Sequence, residues 1–145
     1  MKVIFCDFDG VCNNLEAKDP KTIKSEPIDC RAVFLLNNLI EDTDACIVIT
    51  SDWRIGHTLD WLQTMLKLAG LKYPEKVIVA TINLPKQQRG KEIKTWINAV
   101  GGLDSFVILD DKDDMDPYKD HLVQTSCETG LVIEDVEKAK KILNG

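Results

Sequence analysis

The chain has 145 residues, 44% of them hydrophobic and 29% charged, and its 24 acidic and 18 basic side chains give a formal net charge of −6. These proportions exclude disordered, collagen-like and low-complexity chains, and the length predicts a single domain over residues 1–145. The longest apolar runs, at 77–85 and around 45–51, fall short of the roughly 18 residues of a membrane-crossing helix, and Asp7 and Asp9 interrupt the N-terminal run before it reaches signal-peptide length. No membrane partner and a cytoplasmic location are therefore expected.

In chain order, apolar runs rich in β-branched residues at 2–6, 45–50, 76–80, 105–109 and 121–125 predict five strands. Their near-continuous hydrophobicity is that of strands covered on both faces. Between and after them lie apolar stripes at helical spacing: Val33, Leu36 and Ile40; Leu59, Leu62, Leu66 and Ala69; Ile93, Ile97 and Val100; Val136, Ala139 and Leu143. Gly70 and the pair Gly101-Gly102 stand where glycine ends helices. The exception is 10–29, where Asn13-Asn14, Asp19-Pro20 and Glu26-Pro27 predict a long loop after the first strand. Strands alternating with helices predict an α/β domain with a three-layer, Rossmann-like parallel sheet.

Five cysteines at irregular spacing, with no C-x-x-C pair, read as reduced thiols. Neither the dinucleotide-binding glycine pattern nor the P-loop occurs, and no cysteine begins the C-x5-R loop of a cysteine phosphatase. Charge is unevenly spread. Seven aspartates against Lys112 and Lys119 give 104–120 a balance of −5, the setting of a hard divalent cation, whereas Lys86, Arg89, Lys91 and Lys94 against Glu92 give +3, suited to an anion.

Ligands of an open parallel sheet bind off the carboxyl ends of its strands. Those ends carry Asp7-Phe8-Asp9-Gly10, Thr50-Ser51-Asp52-Trp53-Arg54 and Asp110-Asp111, and the turn into the third helix carries Arg89-Gly90-Lys91. Asp7 has the position of a nucleophile and Asp9 that of a general acid and base. A second acidic pair completes an oxygen cage for Mg2+, which screens Asp7 from an incoming phosphate dianion. Thr50 offers a hydroxyl and a backbone N–H, and Arg89 a fixed charge, to the phosphate oxygens.

At these residues the chain resembles the haloacid dehalogenase (HAD) superfamily: D-F-D-G-V after the first strand, I-V-I-T after the second, Arg-Gly opening a helix, and V-I-L-D-D after a later strand. S-D-W-R, R-G-K-E-I-K-T-W-I, V-I-L-D-D-K-D-D-M and G-L-V-I-E-D resemble more closely the HAD domain of the multidomain "Swiss army knife" RNA-repair proteins. The resemblance implies a HAD fold and a Mg2+-dependent phosphatase in which Asp7 forms an aspartyl-phosphate and Asp9 protonates the leaving group, then activates water. It also implies a metal held by Asp7, the backbone carbonyl of Asp9 and Asp111, with Asp110 supporting and Asp114 a further contributor. The third motif falls on Arg89 or Lys91, with Arg89 favoured, and the second on Thr50 or Ser51.

The loop at 10–29 is too short for a folded cap, and 54–89 is occupied by one helix and one strand, so a capless, open site is expected. Capless members resembling this chain act on phosphates attached to large partners, which makes a polynucleotide 3′-phosphate end the leading substrate. A phosphorylated metabolite or a phosphoprotein is the alternative, and a receiver-like domain phosphorylated on Asp52, or an inactive HAD-fold binding domain, is the competing class. A sequence pI near 4.9 argues for contact with a terminal nucleotide rather than a long phosphodiester track. Arg54 is a candidate phosphate ligand and Trp53 a candidate base-stacking residue. Trp61 and Trp96 read as helix packing residues, and His57 and His121 as structural or surface residues. The sequence sets no oligomeric state.

Overall fold

The computed structural model describes residues 1–14 and 28–145. Most of the loop predicted at 10–29, including Asp19-Pro20 and Glu26-Pro27, lies outside the described residues. Five strands, β1 (Lys2–Cys6), β2 (Cys46–Ile49), β3 (Val77–Ala80), β4 (Ser105–Asp110) and β5 (Leu122–Gln124), form one sheet in the order β3-β2-β1-β4-β5. Every pairing is parallel. The helices are α1 (Cys30–Thr43), α2 (Leu59–Leu68), α3 (Arg89–Val100) and α4 (Ile133–Asn144).

The strands are apolar throughout because both faces are covered, and alternate residues go to opposite layers. Ile4, Cys6, Ile47, Ile49, Val107 and Leu109 join the larger core with Val33 and Leu36 of α1, Leu62 and Leu66 of α2, and Val136, Ala139 and Leu143 of α4. Val3, Phe5, Val48 and Ile108 point the other way, to Ile93 of α3 and to Met115. Trp96 of α3 packs edge-on against Phe5 at 5.5 Å between ring centroids. The three-layer α/β reading therefore holds.

From β1 the chain winds outward through β2 to β3, then returns to the far side of β1 for β4 and β5. The reversal opens a crevice between the carboxyl ends of β1 and β4, the place where doubly wound sheets bind ligands. Between α2 and α3 there is only β3 with its flanking short 3-10 turns, so no cap domain is inserted there. No helix among the described residues is long and apolar enough to cross a membrane.

Candidate active site

Asp7 is the first residue past β1, and its N–H still donates to Leu109 O in the neighbouring strand at 3.0 Å. That bond fixes the carboxylate beside the end of β4, where Asp110 is completely buried. Carboxylate oxygens of Asp7, Asp110 and Asp111 lie within 4.8 Å of one another. Three carboxylates at that spacing repel one another unless cations intervene, and Arg89 supplies one. Its Nη1 donates to Asp110 Oδ2 at 2.7 Å and lies 3.2 Å from Asp7 Oδ2, while Nη2 reaches Asp52 Oδ1 at 3.2 Å.

Burial, reinforced by the charge of Asp110, pushes the Asp7 carboxyl up to about 7, although Arg89 and the Phe8 N–H favour its ionised form. Asp110 is also raised by burial, again against Arg89. For Arg89, burial opposes its charge but Asp7 and Asp110 outweigh it, so the guanidinium is held more firmly protonated than usual. With Asp7, Asp110 and Asp111 all ionised, the charge of Arg89 leaves the cluster a formal surplus of two negative charges. Oxygen-only donors with that surplus fit a hard divalent cation such as Mg2+ and not a soft metal.

Two glycines make the convergence sterically possible. Gly10 has φ +80°, and a Cβ there would meet Asp111 Cγ at 2.5 Å. At Gly90 a Cβ would stand 2.3 Å from Asp116 O, so the first turn of α3 lies directly on the loop after β4 and delivers Arg89 to the carboxylates.

Asp9 projects to the exposed rim rather than into the cluster. Asn13 Nδ2 donates to its Oδ1 at 2.8 Å and Trp53 Nε1 to its Oδ2 at 3.2 Å. Asn13 Oδ1 in turn accepts from Gly10 N at 3.0 Å, which ties the Asp9 carboxylate to the turn that carries it. Neither Asn13 as a partner of Asp9 nor Asp52 as a partner of Arg89 was expected from sequence. The available signals were the position of Asn13 four residues after Asp9 and that of Asp52 two residues after Thr50.

Thr50 is buried at the end of β2, and among the described residues its Oγ1 has no hydrogen-bond partner. Its N–H is used by Cys6 O at 3.0 Å, so the expected offer of both hydroxyl and N–H reduces to the hydroxyl alone. Ser51 Oγ accepts from Trp53 N at 3.2 Å, capping the short turn 52–54. Lys91 is exposed and lines a shallow pocket with Gln88, Gly90, Asp114 and Asp116. Asp114 is thus outside the carboxylate cluster. The basic patch also divides, with Arg89 and Glu92 buried and Lys86, Lys91 and Lys94 exposed.

Arg54 departs furthest from expectation. It donates Nε to Thr81 O at 2.9 Å and Nη1 to the carbonyls of Thr50 and Ser51 at 2.7 and 2.9 Å. Its Nη2 meets Ile82 O and the buried carboxylate of Glu92. A guanidinium has five N–H donors, and these partners with Asp52 Oδ1 occupy them, so the side chain knits the ends of β2 and β3 together instead of facing the crevice.

A doubly wound sheet with an Asp pair after its first strand, a second acidic pair after its fourth and a cation from a helix start between them has the organisation of a HAD-type hydrolase. The chain belongs to the family described as the HAD domain in Swiss Army Knife RNA repair proteins, whose model matches residues 3–136. No curated protein and no solved structure matches it significantly.

Proposed function

We propose that the protein is a Mg2+-dependent phosphomonoesterase that works through an aspartyl-phosphate on Asp7, with a polynucleotide 3′-phosphate end as its leading substrate. The observation that carries the reading is the convergence of Asp7 with Asp110 and Asp111, held by Arg89 at the switch point of the sheet. Asp7, the Asp9 carbonyl and Asp111, with Asp110 supporting, would hold the metal, which supplies charge neutralisation for the phosphate dianion when bound.

The chain's own groups then have separable tasks. An Asp7 carboxylate oxygen attacks phosphorus in line, and the bond from phosphorus to the ester oxygen breaks. Asp9, on the rim, gives its proton to that departing oxygen. It then takes a proton from water as the water attacks phosphorus; the acyl-phosphate bond breaks, and Asp7 and inorganic phosphate are released. The unpartnered Thr50 hydroxyl donates to a non-bridging oxygen, with Ser51 beside it and Lys91 a more distant cation, and Arg89 balances the charge that moves between Asp7 and the phosphate. The family description names RNA repair, and the absence of an inserted domain between α2 and α3 suits a bulky substrate whose own mass covers the site. A cytoplasmic setting suits the free thiols.

The test is phosphate release with Mg2+ or EDTA from a 3′-phosphorylated oligonucleotide, its 5′-phosphorylated counterpart and a panel of small phosphomonoesters, with Asp7→Asn as control. Release confined to the 3′ end supports both mechanism and substrate; release mainly from a small ester keeps the mechanism and replaces the substrate. No release dependent on Asp7 from any of them overturns the phosphomonoesterase reading.

A further inference from the structure

Beside Asp9 lies a feature that the phosphate chemistry leaves unused. An open groove of about 390 Å³ is lined by Asp52, Trp53, Ile55, His57, Trp61 and Met65. Its volume falls within the roughly 300–1,000 Å³ of small-molecule sites. His57 stacks on Trp61, with centroids 3.8 Å apart and planes at 17°, and His57 Nδ1 lies 2.8 Å from Trp53 O, so the rings form one braced platform. Trp53 stands 6.2 Å from Trp61 and meets Phe8 of the D-F-D turn edge-on at 5.3 Å.

The platform is joined to the site through the same residue that orients the proposed acid, since the Trp53 indole N–H donates to Asp9 Oδ2. Asp9 protonates the departing ester oxygen in the proposed reaction, so whatever that oxygen is attached to leaves on the Trp53 side. Among the described residues no lysine or arginine lines the groove, and the acidic group on its wall is the carboxylate of Asp52. Because Asp52 is already paired with Arg89 and Arg54, the groove offers a second phosphate no cation of its own, whereas a flat, uncharged ring is favoured on both aromatic and apolar walls.

We propose that this groove is a subsite for the nucleobase of the nucleotide whose phosphate is removed, with Trp53, His57 and Trp61 as its stacking surface; the assignment rests on the phosphomonoesterase reading. A free nucleoside monophosphate and the terminal nucleotide of a polymer present the same chemistry to it. Recognition through one base at one end also accords with an acidic protein, which lacks the charge to track a long phosphodiester chain.

Calorimetric titration of the full chain carrying Asp7→Asn, with Mg2+, separates the possibilities without turnover. The probes are a 3′-phosphorylated oligonucleotide ending in adenine, the same oligonucleotide with an abasic last sugar, and adenosine 3′-monophosphate. The adenine form is expected to bind about tenfold more tightly than the abasic form, and Trp61→Ala to remove most of that difference. His57→Ala, at an exposed position, gives the same readout if Trp61→Ala is too unstable to use. A mononucleotide that binds as tightly as the oligonucleotide assigns the groove to free nucleotides, and a weaker one assigns it to polymer ends; both keep the base subsite. Equal binding of adenine and abasic forms overturns it. Phosphate release from glycerol 2-phosphate by the wild-type chain, measured alongside, distinguishes the two failures. Release without base preference sinks the groove alone; base preference with no release from any ester sinks the phosphatase reading alone.

Discussion

Arg89 Nη1 lies 3.2 Å from Asp7 Oδ2 through the same nitrogen that donates to Asp110 Oδ2, so one guanidinium spans the ends of two adjacent strands. This contact lets the buried Asp7 and Asp110 carboxylates coexist: burial raises the proton affinity of both, the charge of Asp110 raises that of Asp7 further, and Arg89 opposes both rises. A lysine at this place would supply the charge but not the fork that also reaches Asp52.

Replacing Arg89 is accordingly expected to damage turnover more than replacing any other basic residue near the crevice. Arg89→Ala should lower kcat/KM by about a hundredfold or more. Because Arg89 lowers the proton affinity of Asp7, the acidic limb of the pH–rate profile should also move to higher pH. Arg89→Lys should fall between the two, and Lys91→Ala, on an exposed side chain, should stay within about threefold of wild type. A severe Lys91→Ala defect with a mild Arg89→Ala one would transfer the phosphate-stabilising role to Lys91.

Asp7 also makes stability depend on pH. Its carboxyl titrates near 3.8 in an unperturbed chain and at about 7 in the folded protein. Between those values the folded state keeps a proton that the unfolded state releases. The stabilisation is therefore full below 3.8 and is lost as pH rises through about 7. The difference amounts to at most about 4 kcal/mol. In EDTA, the Tm of the wild-type chain should fall from pH 5 to pH 8 while that of Asp7→Asn changes less. Mg2+ added at pH 8 should restore much of the loss by binding the ionised cluster. Parallel wild-type and Asp7→Asn curves would show that another group governs the slope.

The residues that carry charge off the strand ends were legible because two local rules suffice: an apolar run marks the strand, and the first polar residue after it marks the crevice. Thus β1 runs over 2–6 as predicted, and Asp7, Thr50 and Asp110 all fall where those rules put them. Arg89 as the residue of the third motif that meets the cluster followed from its place at a helix start. Arg54 was misread because its partners are set by folding rather than by spacing. Glu92 is 38 positions away, and the carbonyls of Thr81 and Ile82 become acceptors only when β3 lies beside β2. Trp61, read as packing, is half-buried: it packs against the larger core while its ring stacks with His57, a pairing that no sequence period announces.

The two donors on Asp9 predict a selective kinetic defect. Trp53→Phe keeps an aromatic ring against Phe8 and removes only the N–H that reaches Asp9 Oδ2. With a small aliphatic phosphomonoester, which does not use the aromatic groove, kcat should fall by about tenfold while KM changes little. Asn13→Ala should cost more, since it also releases the Gly10 N–H. Steady-state kinetics on both variants checks this; a change confined to KM would mean that these residues hold substrate rather than aim the acid.

Arg54 and Glu92 form an ion pair whose side chains are only 4% and 2% exposed. Such a pair stabilises little relative to well-packed apolar residues, but removing one partner strands the other charge in a dry interior. Arg54→Ala also removes the side-chain donors to the carbonyls of Thr50 and Thr81, whereas Ser51 O keeps the backbone N–H of residue 54. Urea unfolding should show a loss of about 3–5 kcal/mol for Arg54→Ala, with the double variant Arg54→Met/Glu92→Leu recovering part of it. If Arg54→Ala instead leaves the urea midpoint unchanged and raises KM for phosphate esters, the arginine serves the substrate directly, and the knitting of β2 to β3 is incidental.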